Sequence, residues 1–488
     1  MKLDNPLPRS TPQPILAQAV LDFLESTEAA SLELHSLMLL QHGSVLAEGW
    51  WAPYGPAVPH MLYSLSKSFT STAAGLAIAE NRFSLDDTVI SFFPNDLPPE
   101  VSDNLRAMRV RHLLAMATGH IKEPGLWATP PGSNWVRQFL AAPVEKEPGT
   151  HFLYNSPATY MVAALIEQTT GESLLQYLTP RLLAPLGIEG ATWETDERGI
   201  AVGGWGLNLT TEDIARFGQL YLQKGMWQGE RLVPEEWVDA ATAKQISNGD
   251  NPDNDWNQGY GFQFWRCRHG AYRGDGAFGQ YCIVMPEQDA IVAITSGVSN
   301  MGEVLNLVWK KLLPALTQTA SLPENTAADG RLTERLDRLS IAVPPPLSPS
   351  HTVAAQVSGT TYRFGENDLH IAAVTLDFHG DACRLVIGGS DGQTHRVEAS
   401  LSEWKYGDTT FLQSRIWRKP PLSPTVKTAV QGTWASENTL VFKLCFYETP
   451  FTPTLTFRFD DDQSVTFEMR GSVGFGPSEY PPLQGQRK

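Results

Sequence analysis

Four cysteines in 488 residues, with no CxxC pair and no histidines at zinc-ligand spacing, exclude a structural zinc site and a dense disulfide framework. Cys267, Cys282, Cys383 and Cys445 read as buried free thiols; Cys267 and Cys282 flank one predicted hairpin, and nothing requires a bond between them. Long apolar runs are missing too. No segment reaches the roughly 18 uninterrupted apolar residues of a membrane span, and MKLDNPLPRSTPQPILAQ at the start lacks the apolar core of a leader, so the expected address is cytoplasmic. Positive charge is scarce: 37 basic against 53 acidic residues give a net charge of −16, which repels nucleic acid and anionic membrane surfaces. No fixed-period repeat is visible.

What is present suits a folded enzyme. Hydrophobic residues are 42% and charged residues 18%, and the length exceeds one ordinary core, so two domains are expected. PILAQAVLDFLE predicts a helix from Pro14 to about Glu28, with proline suited to a first turn. LHSLMLLQHGSVLAEGWW predicts two strands around His42-Gly43. Helical stretches follow until strands return at YGFQFWRC (260–267), YCIVMP (281–286) and AIVAITSG (290–297), which points to one sheet assembled from distant parts of the chain. A helix over 304–316 closes this first domain, 1–316, with Pro314 expected to end or kink it. Residues 317–350, with a short charged helix and the stiff VPPPLSPS, read as a linker. From 351 to 488, short alternating segments between frequent turns predict an all-β barrel or sandwich.

One stretch carries chemistry. In YSLSKSFTSTAAGLAIAE, Ser64 precedes Lys67 by three residues, so on a helix beginning at Ser64 hydroxyl and amine meet one turn apart. Serine becomes a useful nucleophile when a neighbour takes its proton, and lysine does so when burial or nearby positive charge disfavours its cation. Small and apolar residues on every side predict a helix buried all round. SxxK alone is weak, since a surface Ser-Lys pair is a common accident.

The order of several motifs is more specific. YSLSKSFTS is followed by SLDDTVISFFP (84–94), MRVRHLLAMATGH (108–120), EPGTHFLYNSPATYMVAALIEQTTG (147–171), PLGIEG (185–190), GGWGLNLTTEDIARFGQLYLQKGMWQGERLVPEEWV (203–238) and GDGAFGQYCIVMPEQD (274–289). Over residues 30–315 the chain resembles the class C β-lactamase-like serine hydrolases, a family that includes penicillin-binding carboxypeptidases, carboxylesterases and nylon-oligomer amidases. The resemblance implies an α/β (α+β) β-lactamase/transpeptidase-like fold: an antiparallel sheet flanked by helices with an all-helical subdomain. It implies Ser64 as nucleophile, Lys67 as its partner, and Tyr154, in Tyr154-Asn155-Ser156, as a phenol that holds its proton loosely beside the Lys67 cation and works as base and acid. Gly274-Asp275-Gly276 matches the third motif, and the backbone N–H groups of Ser64 and Ala277 would form the oxyanion hole.

Two departures bear on substrate. Ser156 replaces an asparagine whose amide grips a substrate amide, and Gly274 replaces the cation that helps bind the carboxylate of penicillins and D-alanyl peptides. Arg268, His269 and Arg273 are possible stand-ins, although each reads more simply as a loop charge. Esters or uncharged amides are therefore expected ahead of β-lactams or D-alanyl peptides, and a slow or non-catalytic acylated sensor is the reading from another class. Gly203-Gly204-Trp205-Gly206, before a helix capped by Thr210 or Thr211, would line the cleft, with Trp205 a substrate platform or plain packing. His112 and His120 read as structural, and Asp460-Asp461-Asp462 as a solvated turn rather than a calcium site. No glutamate resembles a class A deacylating base, and the scheme uses no metal or cofactor.

Overall fold

The computed structural model describes residues 6–126, 129–317, 326–345, 351–413, 423–460 and 463–488. They form two compact units, one within residues 1–49, 59–296 and 300–337, the other within 50–58, 297–299 and 338–488.

The first unit is a six-stranded sheet with helices, the β-lactamase/transpeptidase-like architecture. Helix α1 (Pro14–Ala29) has its proline in the first turn, where the missing N–H costs no hydrogen bond. Strands β1 (Leu34–Gln41) and β2 (Ser44–Trp50) flank a turn in which His42 and Gly43 have φ of 52° and 75°, the left-handed pair a tight hairpin needs. The other strands come from far along the chain: β3 (Trp265–Arg266), β4 (Tyr272–Gly276), β5 (Gln280–Met285) and β6 (Ala290–Ser296). The sheet order is β2-β1-β6-β5-β4-β3, and β1 runs antiparallel to β6, with Leu37 opposite Ile294. Every residue of β5 and β6 is buried, as central strands covered on both faces should be.

Three further helices matter to the site. Helix α2 (Ser66–Ala79) is buried along nearly all its length. Helix α3 (Ser156–Thr170) starts at Asn155, whose side chain accepts from Ala158 N, and stops at Gly171 with φ of 75°. It packs on α2 and on the short helices 110–114, 135–141 and 174–178, forming the helical subdomain. Helix α4 (Thr211–Leu222), capped by Thr210 through a reciprocal bond with Asp213, lies against β1, β5 and β6.

Three expectations need adjusting. Only Trp265–Arg266 of 260–267 is strand, because Gln263 has φ of 66° and the carbonyls of Phe262 and Gln263 accept from Ser71 and Ser68 of α2 instead of pairing in the sheet. The last long helix runs from α5 (Met301–Leu307) through a wider turn over Val308–Leu312 into Leu313–Leu316, so Pro314 sits in a first turn and does not end it. Finally, α6 (Thr326–Asp337), within the segment that composition reads as linker, packs on α1: Arg331 donates to Gln18 at 2.9 Å and Arg335 pairs with Glu28. Residues 318–325 and 346–350 of that segment lie outside the described residues.

The second unit is a β-barrel. Its strands are β7 (Thr361–Phe364), β8 (Ile371–His379), β9 (Ala382–Gly389), β10 (Thr394–Ser400), β11 (Lys405–Thr409), β12 (Val426–Ser436), β13 (Thr439–Cys445), β14 (Thr454–Phe459), β15 (Ser464–Arg470) and β16 (Leu483–Arg487). They follow the order β10-β9-β8-β7-β16-β15-β14-β13-β12-β11, and a bridge from Ser400 to Gln431 joins β10 to β12. Closure leaves few free strand edges. Tyr362, Trp434, Phe442, Phe457, Phe459 and Phe467 are among its buried side chains. Asp461 and Asp462 lie outside the described residues; Asp460 approaches Arg458.

Among the described residues no helix is long and apolar enough to cross a membrane, and no three His, Cys, Asp or Glu side chains group as metal ligands. All four cysteines are buried, and none is in a disulfide.

Candidate active site

Ser64 lies in a 3-10 turn, Tyr63–Leu65, that leads directly into α2, so the first helical α residue is Ser66 rather than Ser64. Tyr63 enters this turn with φ of 48°, a conformation that costs a non-glycine residue energy and that is found where a neighbouring side chain must be aimed. Ser64 is half-buried and Lys67 fully buried. Lys67 Nζ contacts three oxygens: Ser64 Oγ at 3.0 Å, Ser156 Oγ at 3.0 Å and the Gly204 carbonyl at 2.7 Å.

The small polar residues of α2 have a structural use. Ser66 accepts from Leu207 N, Ser68 donates to Gln263 O, Thr70 to Gly203 O and Ser71 to Phe262 O, while Thr72 meets the Tyr221 hydroxyl. These hydroxyls fasten neighbouring segments to the helix, and one of those segments, at Gly203-Gly204, lies beside Lys67.

Tyr154 precedes the cap of α3. Its ring centre is 4.8 Å from Lys67 Nζ, and its phenol interacts with the Ser64 hydroxyl. Asn155, the middle residue of this motif, turns inward as the helix cap and donates to Thr118. Ser156 points the other way, its Oγ on Lys67 and its N–H on Glu123 Oε1 at 2.8 Å. The loosely held proton expected for Tyr154 is not what its surroundings produce. Burial, aided by the carboxylates of Asp275 and Glu123, pushes the phenol pKa well above its ordinary 10.0, against the opposing hydrogen bond to Ser64. Tyr154 therefore rests protonated.

Strand β4 brings the third motif alongside. A β-carbon on Gly276 would collide with the Leu62 carbonyl and lie 3.1 Å from Ser64 N, so only glycine lets this strand run against the turn that carries Ser64. Ala277 follows directly, half-buried at the strand end. Gly274 faces Leu65 and Ser68, where a β-carbon would lie 2.7 Å from Ser68 Oγ. Gly276→Ala should displace the Ser64 turn and lower both the thermal midpoint and any Ser64-dependent rate by tenfold or more, roughly the price of a clash with immovable backbone. A variant as stable and active as wild type would show that the two backbones can separate freely.

The candidate cations are already engaged. Arg268 is held by Asp255 at 2.7 Å and by Asn306 at 2.7 Å. His269 packs its ring near Trp309. Arg273 is not a loop charge: it is a fully buried residue of β4, paired with Asp275 at 2.8 Å. Trp205 is buried, with its indole N–H on Glu194. Gly204, expected with the GGWG run on the cleft wall, reaches Lys67 through its carbonyl, and Glu123, for which a lone loop glutamate offered no signal, reaches Ser156 N through its carboxylate.

His112, His120 and His60 are held by neighbouring groups. His112 Nδ1 accepts from Arg109 N, and His120 Nδ1 lies 2.8 Å from Thr118 Oγ1. Burial pulls both down to about 4, and His60, buried against His35, falls well below 6.5. Their folded pKa values lie below the unfolded one, so the unfolded chain binds more protons between pH 6.5 and 4. This stability is whole above pH 6.5 and is lost as pH falls toward 4. Thermal midpoints should drop steadily from pH 7 to pH 5; a flat or rising profile would contradict the assignment.

Fold and geometry together define a β-lactamase/transpeptidase-like protein with a buried lysine between two serines. Residues 28–306, more than half of the chain, match the sequence model of the Beta-lactamase family, and the chain belongs to that family. The 6-aminohexanoate-dimer hydrolase of Paenarthrobacter ureafaciens is 26% identical over 282 residues, 53% of this chain and 71% of that protein. EstCE1, described as a hydrolase with promiscuous acyltransferase activity, has a TM-score of 0.53 at 18% identity, covering 61% of this chain and 98% of its own. The octameric penicillin-binding protein homologue of Pyrococcus abyssi has a TM-score of 0.51 at 16% identity and covers 96% of this chain and 100% of its own.

Proposed function

We propose that the protein is a serine hydrolase that cleaves an ester or an uncharged amide through an acyl-enzyme on Ser64. The observation that carries this reading is Lys67 Nζ, buried and 3.0 Å from Ser64 Oγ. In the amine form Lys67 takes the Ser64 proton as Oγ attacks the carbonyl carbon. The N–H groups of Ser64 and Ala277 hold the oxyanion, and Tyr154, which rests protonated, gives its proton to the leaving group and regains one from Lys67. Water then releases the acyl group. Family membership and the hydrolases among the relatives support the reaction type.

The substrate preference rests on Gly274 and its neighbours. The place of a carboxylate-binding cation is occupied by packing against Leu65 and Ser68, and Arg268 and Arg273 are spent on Asp255 and Asp275. To bind a substrate carboxylate, Arg268 or Arg273 would have to give up the carboxylate it already holds. Ser156 offers a hydroxyl, already shared with Lys67, in place of an amide.

Incubation with a p-nitrophenyl ester of a short acid and with a chromogenic cephalosporin tests both parts. Sustained release from the ester, dependent on Ser64 and faster than from the cephalosporin, supports the reading. A single stoichiometric burst would make the protein an acylated sensor, and faster cephalosporin turnover would overturn the substrate preference.

A further inference from the structure

Beneath Tyr154 lies a column of rings and charges that the scheme above does not use. Trp265, on β3, stacks on Tyr154 with centroids 5.2 Å apart and planes at 28°. In the antiparallel pairing of β3 with β4, Trp265 stands directly opposite Arg273, and the guanidinium lies 5.6 Å from the Trp265 ring and 4.6 Å from that of Trp256. Arg273 is in turn fixed by Asp275, two residues on and therefore on the same face of β4, and donates to the Asp255 carbonyl at 3.0 Å. Tyr260 closes the side, edge-on to both Trp265 at 4.8 Å and Tyr154 at 6.2 Å. Lys67 Nζ completes the series at 4.8 Å from the Tyr154 ring.

A phenol on a single rotatable ring, placed ahead of a helix cap, would otherwise swing about its side-chain torsions. Here a flat indole, itself pinned by a buried ion pair, restricts that swing. We propose that Trp265 is a positioning residue that, braced by Arg273 and Asp275, holds the Tyr154 hydroxyl where it protonates the leaving group. The inference rests on the acyl-enzyme reading above and adds a substrate consequence. During acylation the Ser64 Oγ–carbon bond forms, the bond from carbon to the leaving oxygen or nitrogen breaks, and the leaving atom takes the Tyr154 proton, which Lys67 replaces with the one it removed from Ser64. Alkoxides and amide nitrogens need that proton; p-nitrophenolate leaves as a stable anion and does not. The built-in brace suits alkyl esters and amides.

The test compares ethyl butyrate with p-nitrophenyl butyrate in wild type, Trp265→Phe, Trp265→Leu and Tyr154→Phe. Removing the stack in Trp265→Leu should lower kcat on the ethyl ester at least about tenfold, with KM within about twofold and the p-nitrophenyl ester within about threefold, a split that general-acid catalysis produces. Trp265→Phe, which keeps a stacking ring, should recover most of the ethyl ester rate, and Tyr154→Phe should show the same leaving-group bias as Trp265→Leu, more strongly. Equal losses on both esters, or a phenylalanine variant no better than leucine, would overturn the inference. If Trp265→Leu does not fold, the ratio of the two esters in Trp265→Phe and Tyr154→Phe decides: a wild-type ratio in Tyr154→Phe removes the proton donor and with it the brace. Absence of any Ser64-dependent release in wild type would sink the acyl-enzyme reading and the inference together, whereas Ser64-dependent release with unchanged selectivity would sink the inference alone.

Discussion

Ser64→Ala is expected to lower ester turnover by at least about a thousandfold, because it removes the proposed nucleophile and leaves only binding and oxyanion contacts. The fold should survive. Ser64 is half-buried, in a turn whose backbone bond from Leu65 N to Leu62 O does not involve its hydroxyl. Loss of Oγ removes one acceptor from Lys67, which keeps Ser156 Oγ and Gly204 O. The thermal midpoint should therefore stay within a few degrees of wild type, while mass spectrometry finds no acylated protein after incubation with substrate. Acylated Ser64→Ala protein, or equal release by variant and wild type, would mean that the nucleophile lies elsewhere.

The second large effect concerns Lys67. Arginine preserves a cation but cannot give up its proton in a protein, whereas methionine preserves length and removes the nitrogen. If Lys67 is the proton acceptor, both variants should lose at least about a thousandfold in kcat, with Lys67→Arg no better than Lys67→Met. A purely electrostatic role predicts the opposite order. Lys67→Arg retaining a tenth of wild-type activity would show that charge and not proton transfer is needed. Stability should fall in Lys67→Met, since Gly204 O, Ser156 Oγ and Ser64 Oγ each lose a donor and an unsatisfied buried acceptor costs about 1–3 kcal/mol.

Much of this site could be read along the chain because it is local. Ser64 and Lys67 are one helical turn apart, and the glycines of β4 announce a close backbone approach, which Gly276 makes against Leu62 and Ser64. The parts that could not be read depend on distant partners. Nothing in WRC (265–267) says that Trp265 will stand across from Arg273 and stack on Tyr154, 111 positions earlier, nor that Arg273 will be buried instead of solvated in a loop. The firm hold of Tyr154 on its proton has the same origin: burial and two carboxylates come from elements far away in sequence. Gln263 shows how local pattern misleads. An apolar run around it reads as strand, yet the side chain is buried in bonds to Thr159 and to the carbonyls of Leu113 and Leu114, and the backbone bends to put it there.

The placement of β1 has a consequence for how the chain is made. Strand β1, from residues 34–41, is buried between β2 and β6, and β6 is not reached until residues 290–296. On a ribosome, the first hairpin emerges with one edge uncovered and waits for some 250 further residues, which at about 5–20 residues per second is tens of seconds. During that interval the apolar segment LHSLMLLQ presents unpaired backbone to other nascent chains, and loop closure over such a span is slow. Synthesis of this protein should accordingly depend on holdase chaperones and on growth temperature far more than the folded protein's own stability would suggest.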